Sequence, residues 1–189
     1  LPQFDRQAMK EETKKNPQWV HFGAGNIFRA FPAALQQKLL NEGIEKTGII
    51  VAEGYDYEII KKAYRPQDDL SLLVTLKANG TIEKTVIGSL AESLTVDRHD
   101  AADWNRLKEI FASNTLQMVS FTITEKGYSI TSPDGAFRAD VKADFEAGPE
   151  NADSYIGKLA ALCYWRYTQG AAPLALVSMD NCSHNGDKL

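Results

Sequence analysis

The sequence predicts an α/β fold: a mostly parallel sheet with helices on both faces and an antiparallel hairpin insertion. Three observations carry this expectation. Short apolar runs alternate with stretches of helical periodicity along the 189 residues, as they do where strands covered on both faces are joined by crossover helices. The run Trp19-Val20-His21-Phe22 enters a turn at Gly23-Ala24-Gly25 and leaves it in a helical pattern. Asn79-Gly80, between two β-rich runs, is a strong signal for a type I′ hairpin turn.

Residues 1–17 are polar and mixed in charge and are set apart as an N-terminal arm, either a short helix or a loose segment; residues 18–189 are read as one domain. Residues 20–22 make the first buried strand. From residue 27 to 40 the apolar positions Ile27, Phe31, Ala34, Leu35, Leu39 and Leu40 predict one helix, with Pro32 in its first turn and Gly43 as its C-terminal cap. Residues 48–53 are a second strand, apolar until it ends in Glu53. Residues 57–64 suggest a short helix. Residues 70–76 and 81–90 pair as the hairpin, expected to extend the sheet edge. Residues 100–113 form a helix capped by Asp100, with Trp104, Leu107, Ile110 and Phe111 on one face. Residues 116–124 are a strand that runs into Glu125-Lys126-Gly127-Tyr128. Residues 129–149, with their Gly, Pro and Asp, are read as a surface excursion. A helix over 153–168, ended by Gly170, leads to the last strand at 174–179 and to Asp180-Asn181-Cys182-Ser183-His184.

Strand, glycine turn and helix N-terminus together make a phosphate site: free backbone N–H groups and the positive end of the helix dipole face the anion. Gly23 turns the chain without a Cβ clash, Gly25 lets backbone approach a pyrophosphate, and Ala24, Asn26 and Ile27 complete the cradle. Phe28 takes the third fingerprint position, where a small residue is usual, implying a wider gap or a ring used as packing. Arg29, one turn into the helix, reaches a phosphate or makes a surface salt bridge. Glu53 follows Phe28 by about 25 residues, near the spacing at which a dinucleotide fold places a carboxylate on the adenosine ribose. This is the grammar of a Rossmann-like fold with a bound dinucleotide. A carboxylate there repels a 2′-phosphate, so NAD is expected rather than NADP. Asp56 is a second candidate, and a solvated loop acid is the rival reading of Glu53.

The bulk numbers exclude other classes. A formal charge of −4 with no basic cluster argues against a nucleic-acid partner. No apolar run reaches the ~20 residues of a membrane span, and no secretory signal opens the chain. Cys163 and Cys182, far apart, could form one disulfide but are read as a reduced cytosolic pair, and the protein as cytoplasmic. Three histidines and two cysteines show no zinc-like spacing, so no metal is expected. The sequence, starting at Leu1 and stopping just after a dense polar motif, is read as a piece of a longer polypeptide.

Three ordered segments, Val20-His21-Phe22-Gly23-Ala24-Gly25-Asn26-Ile27-Phe28-Arg29, Thr122-Ile123-Thr124-Glu125-Lys126-Gly127-Tyr128 and Ser178-Met179-Asp180-Asn181-Cys182-Ser183-His184-Asn185-Gly186, resemble the mannitol dehydrogenase family of polyol-specific long-chain dehydrogenases, which includes fructuronate and tagaturonate reductases. The resemblance covers the family's N-terminal, nucleotide-binding domain. It implies metal-free hydride transfer between NAD(H) and a sugar alcohol or keto-sugar acid as the small-molecule substrate. It also implies a helical C-terminal domain, absent from this chain, that carries the catalytic lysine in a Lys-x4-Asn-x2-His signature. Asn181 and His184 have the Asn-x2-His spacing, but Leu176 stands at the lysine position, so this is not that signature. The fragment alone is expected to be inert. Phe28 and Lys126 lean toward the uronate-reductase branch.

The family comparison places an active-site asparagine in the segment of Asn181, whose amide suits a carbonyl oxygen gaining negative charge; a local turn bond is its rival reading. Glu125 is expected to gate proton movement or orient the missing lysine, or else to face water as a loop acid. His184 is expected to contact substrate or the nicotinamide ribose, or to be a hydrogen-bonded turn residue. His21, inside a strand, is read as structural. Two readings of other classes remain: a non-catalytic nucleotide-binding or sensing module, and an α/β domain whose glycine turn binds no nucleotide.

Overall fold

The computed structural model describes residues 1–170 and 172–189. In chain order, helix α1 (Arg6–Lys15) leads into strand β1 (Trp19–Phe22), helices α2 (Asn26–Ala30) and α3 (Pro32–Asn41), and β2 (Ile49–Glu53). A helical turn, α4 (Tyr57–Ile59), continues through a π-turn (Ile60–Tyr64) and a 3₁₀ turn (Arg65–Gln67). Then come β3 (Ser71–Leu76), β4 (Ile82–Ile87), β5 (Leu90–Thr95), α5 (Ala101–Ala112), β6 (Met118–Phe121), α6 (Thr124–Gly127), α7 (Ala139–Ala147), α8 (Tyr155–Thr168), β7 (Ala175–Ser178) and α9 (Asn185–Lys188).

Five strands form an all-parallel sheet in the order β5-β2-β1-β6-β7. The chain winds outward from β1 to β2 and β5, then returns to β6 and β7 on the other side. Strand order therefore reverses between β1 and β6, and in open α/β sheets ligands bind outside the carboxyl ends of the strands at such a switch point. Val20 lies opposite both Ile50 and Val119 in register. The central strands are apolar because both faces are covered. Val20, Phe22, Ile50, Phe111, Phe121 and Leu162 pack the α5/α8 face, and Phe28, Ala33, Val51, Ile60 and Tyr64 pack the α2/α3 face.

The structure corrects several details of the sequence reading. The helix expected over 27–40 is two helices that meet at Phe31 (φ −118°, ψ −72°), because Pro32 has no N–H to donate and starts a new first turn as an N1 residue. Gly43 (φ +70°) does end the second helix, its amide donating to Leu40 O. The hairpin does not extend the main sheet: β3 and β4 pair only with each other in a separate ribbon. Its turn is a three-residue loop rather than type I′. Gly80 alone is left-handed (φ +82°), with the Gly80 amide on Lys77 O and the Lys77 amide on Thr81 O. After the hairpin, β5 is a fifth parallel strand; the sequence reading ended the hairpin at residue 90 and assigned no element to residues 91–95. Glu92 disguised it; on this edge strand the carboxylate pairs with Arg106 at 2.6 Å. The 129–149 excursion contains α7, which ends at Gly148 (φ +77°). Met9 and Thr13 of α1 are buried, and the Thr13 hydroxyl accepts the Gly48 amide at 2.7 Å where β2 begins.

Candidate functional site

The carboxyl ends of the strands bring the predicted positions together. The Gly23 amide continues the ladder onto Ala52 O at 2.9 Å, and the Thr122 amide continues it onto Phe22 O at 2.9 Å. Gly23 has φ +112°, and a Cβ there would run into the Thr122 carbonyl oxygen. Only glycine lets the β1 loop pass this close to the end of β6. Gly25 differs. Its φ is −74°, it caps α2, and a Cβ on it would meet nothing within 4 Å. Gly25, Asn26 and Ile27 are exposed. The first amides of α2 have no intrahelical acceptor and stand at the switch point.

Phe28 is buried, its ring stacked on His21 at a centroid distance of 4.2 Å and nearly parallel. The ring is packing, which is how the fold accommodates it at the third fingerprint position. His21 is also buried; its Nδ1 lies 2.7 Å from Ser120 Oγ and its Nε2 2.8 Å from Thr122 Oγ1. Burial lowers its pKa to about 3, so the ring is neutral. Arg29 reaches back along the loop: its Nη2 donates to Asn26 Oδ1 at 2.6 Å, and its guanidinium lies 5.7 Å from the Tyr64 ring centroid. The Tyr64 hydroxyl donates to Ala24 O at 2.7 Å, which braces the loop from below.

Glu53 lies at the mouth of the sheet and is only 8% exposed. One carboxylate oxygen accepts the Ala24 amide at 2.8 Å; the other accepts the amides of Tyr55 at 2.7 Å and Asp56 at 3.2 Å. This is a buried clamp between two loops, not a solvated acid. Asp56 is exposed and caps α4 through the Glu58 amide. Beside these loops is a cavity of about 190 Å³, lined by Gly54, Tyr55, Lys126, Tyr155 and Lys158 among others. Lys158 Nζ donates to the Tyr57 hydroxyl at 2.9 Å, burial lowers the lysine pKa, and burial foremost pushes the Tyr57 phenol up to about 12.

Beyond β6 and β7 the anchor is Asp180, which the sequence reading did not single out. Its carboxylate accepts the amides of Ile123 at 2.9 Å and Thr124 at 3.1 Å and the Tyr128 hydroxyl at 2.6 Å. It holds the two strand-end loops together, with Thr124 in a left-handed conformation (φ +63°). Asn181 follows it, exposed, with no side-chain hydrogen bond among the described residues. Glu125 is exposed and pairs with Lys188, whose hydrogen bond and charge hold the carboxyl below its ordinary range. His184 is exposed and left-handed (φ +53°), with Nδ1 3.5 Å from Asp187. These three form a rim at the ends of β6 and β7, where Glu125 meets Lys188 of the helix that His184 caps. Asp180 was missed because an acid next to Asn181 gives no signal of its own; Thr122 and Tyr128 were quoted only within a motif. Among the described residues, no group of three or more His, Cys, Asp or Glu side chains is placed to hold a metal ion, and no helix is long and apolar enough to cross a membrane.

Residues 17–189 match the family model described as the mannitol dehydrogenase Rossmann domain. The chain is 50% identical over 188 residues to the D-mannonate oxidoreductase of Thermotoga maritima, covering 100% of this chain and 35% of that protein. It is 31% identical over 176 residues to the polyol:NADP oxidoreductase of Gluconobacter oxydans, covering 90% of this chain and 35% of that one. The solved mannitol 2-dehydrogenase of Pseudomonas fluorescens, in a ternary complex with NAD and D-mannitol, superposes with a TM-score of 0.80 at 28% identity over 99% of this chain and 37% of its own. The chain thus spans about 35% of the length of these curated relatives. With its sheet order, its glycine loop at the switch point and this match over nearly its whole length, the chain belongs to the mannitol dehydrogenase family, and what it carries is that family's Rossmann domain.

Proposed function

We propose that this chain is the NAD-binding part of an oxidoreductase that transfers a hydride between NAD(H) and a sugar alcohol or keto-hexuronate, of the fructuronate/tagaturonate reductase or mannitol dehydrogenase type. One observation carries the cofactor reading: at the switch point, the loop 23–27 leaves open space over Gly25 in front of the first amides of α2. The residues fit a dinucleotide. The amides of Gly25, Asn26 and Ile27 suit a diphosphate, Arg29 stands beside them, and Gly23 and Ala24 are locked in place by Thr122, Tyr64 and Glu53. Glu53 and Asp56 put carboxylates at the end of β2, which disfavours a 2′-phosphate and supports NAD over NADP. The bound cofactor supplies or accepts the hydride; these residues bind and orient it.

On the rim, Asn181 is the group to donate its amide to a substrate oxygen that gains negative charge. Glu125, kept ionised by Lys188, orients the proton-transferring group, and His184 contacts substrate or ribose. That proton-transferring group belongs to the helical C-terminal domain of the longer polypeptide, so this chain binds cofactor but does not turn substrate over. The mannonate in the name of the 50%-identical relative favours the sugar-acid class. The same reading places the protein in the cytoplasm, where its two free thiols stay reduced.

The experiment is a fluorescence titration with NADH and, in parallel, NADPH. Saturable NADH binding that Gly25→Val abolishes supports the reading. No saturable change in the wild type, or equal binding by Gly25→Val, removes it.

A further inference from the structure

A chain of buried polar groups runs along one face of the β1–β6 pair from its amino end to the switch point. Trp19 Nε1 donates to Ser120 Oγ at 2.7 Å. Ser120 Oγ lies 2.7 Å from His21 Nδ1, and His21 Nε2 lies 2.8 Å from Thr122 Oγ1. The parallel register sets this spacing, with His21 opposite Ser120. The chain ends at Thr122, whose Oγ1 is within 3.0 Å of where a Cβ on Gly23 would stand and whose residue is only partly buried.

Donor counting gives the chain a direction. The indole N–H only donates, so Ser120 Oγ accepts from Trp19. Ser120 has one hydrogen left, and among the described residues its remaining partner is His21 Nδ1. If Nδ1 carried the ring proton, Ser120 would accept twice and bury its own O–H unpaired, which buried polar groups avoid. The neutral ring therefore accepts at Nδ1 and donates from Nε2 to Thr122 Oγ1. That leaves the Thr122 hydroxyl proton without a partner among the described residues, at the mouth of the sheet beside the glycine loop.

We propose that Thr122 is a cofactor-binding residue: its hydroxyl donates to an acceptor oxygen of the bound dinucleotide, and the Trp19–Ser120–His21 chain holds it in the donating state. This rests on the cofactor reading above. Trp19, Ser120 and His21 are positioning residues. They make Thr122 a pre-set donor rather than a free rotor that must choose between donating and accepting on binding.

Two measurements on the purified chain test this. Nitrogen-15 NMR of the His21 ring is expected to show a protonated Nε2 and a bare Nδ1 at neutral pH; a protonated Nδ1 overturns the proposal. NADH titrations of Thr122→Val and Thr122→Ser supply the second. The valine variant, close in shape, is expected to bind about tenfold more weakly, while the serine variant stays within about twofold of wild type. Saturable wild-type binding left unchanged by Thr122→Val overturns this proposal alone. A wild type that does not bind NADH overturns the cofactor reading and this proposal together. Thermal unfolding of the valine variant checks that a lost affinity is not a lost fold, and the tautomer measurement stands even if that variant does not fold.

Discussion

The Ala24 amide donates to the Glu53 carboxylate across 2.8 Å, and this bond ties the glycine loop of β1 to the end of β2. With the amides of Tyr55 and Asp56 on its other oxygen, Glu53 sets the relative position of the two loops. Glu53→Gln keeps the shape but turns an N–H₂ toward backbone N–H groups. It is expected to cost about 1–3 kcal/mol in urea unfolding, the range for a buried donor left unsatisfied. Glu53→Ala is expected to weaken NADH and to narrow the NADH/NADPH affinity ratio. A ratio equal to wild type would reduce Glu53 to a brace with no part in cofactor choice.

The two glycines of the loop separate folding from binding. Gly23→Ala puts a Cβ against the Thr122 carbonyl at φ +112°. Strain of this kind costs on the order of 1–3 kcal/mol and is expected to lower the melting temperature. Gly25→Ala has open space and an ordinary φ of −74°. It is expected to melt like wild type while losing NADH affinity, since the methyl group occupies the approach of the diphosphate. Equal melting shifts in the two variants would contradict this division of labour.

His21 makes stability pH-dependent in a defined window. Its pKa is about 3 in the folded protein against 6.5 for the free side chain, so below 6.5 the unfolded chain takes up a proton that the folded one refuses. Its contribution is complete above pH 6.5 and falls as pH drops toward 3, by about 1.4 kcal/mol per unit at most. His21→Asn is expected to be less stable at pH 7 and to show a shallower loss between pH 6 and pH 4. Parallel pH profiles for the two proteins would mean that the ring takes up its proton without unfolding.

Much of this was legible in the chain because the signals are local. The turn at Gly23 and Gly25, the apolar strand ending in Glu53, the cap at Asp100 and the stop at Gly43 each follow from short-range stereochemistry. What escaped is set across the fold. Strand β5 escaped because Glu92 interrupts its apolar run, and only the fold brings Arg106 to that carboxylate. The break at Phe31 depends on Pro32 starting a new turn instead of riding inside the first. At the site, the acid at the end of β2 was legible, but the three amide partners of Glu53 lie on two loops, and only the fold brings them together. Asp180 had no motif, and its importance comes from the Ile123 and Thr124 amides of another strand end.

Arg166 is the strongest case of a residue whose role the sequence hides. On the last turn of α8 it reads as a solvated cation favourable to the helix dipole, yet it is 5% exposed. Its Nη1 donates to Phe111 O at 2.6 Å and Ser113 O at 2.7 Å, its Nη2 to Leu116 O at 3.1 Å and Pro173 O at 3.2 Å, and its Nε to Ala172 O at 2.9 Å. Five carbonyls from the end of α5, the approach to β6 and the approach to β7 thus converge on one guanidinium. Of these, Ser113 O also accepts the Leu116 amide at 3.4 Å. Arg166→Lys keeps the charge, but a single ammonium with three donors cannot reproduce the planar fork, and several buried carbonyls lose their partner. The expected cost is about 3 kcal/mol, a fall in melting temperature of roughly 6–12 °C for a domain of this size. NADH affinity should survive at temperatures where the variant is folded, because none of these carbonyls lies at the switch point. A melting temperature within 2 °C of wild type, read by calorimetry, would show that water replaces the guanidinium at little cost.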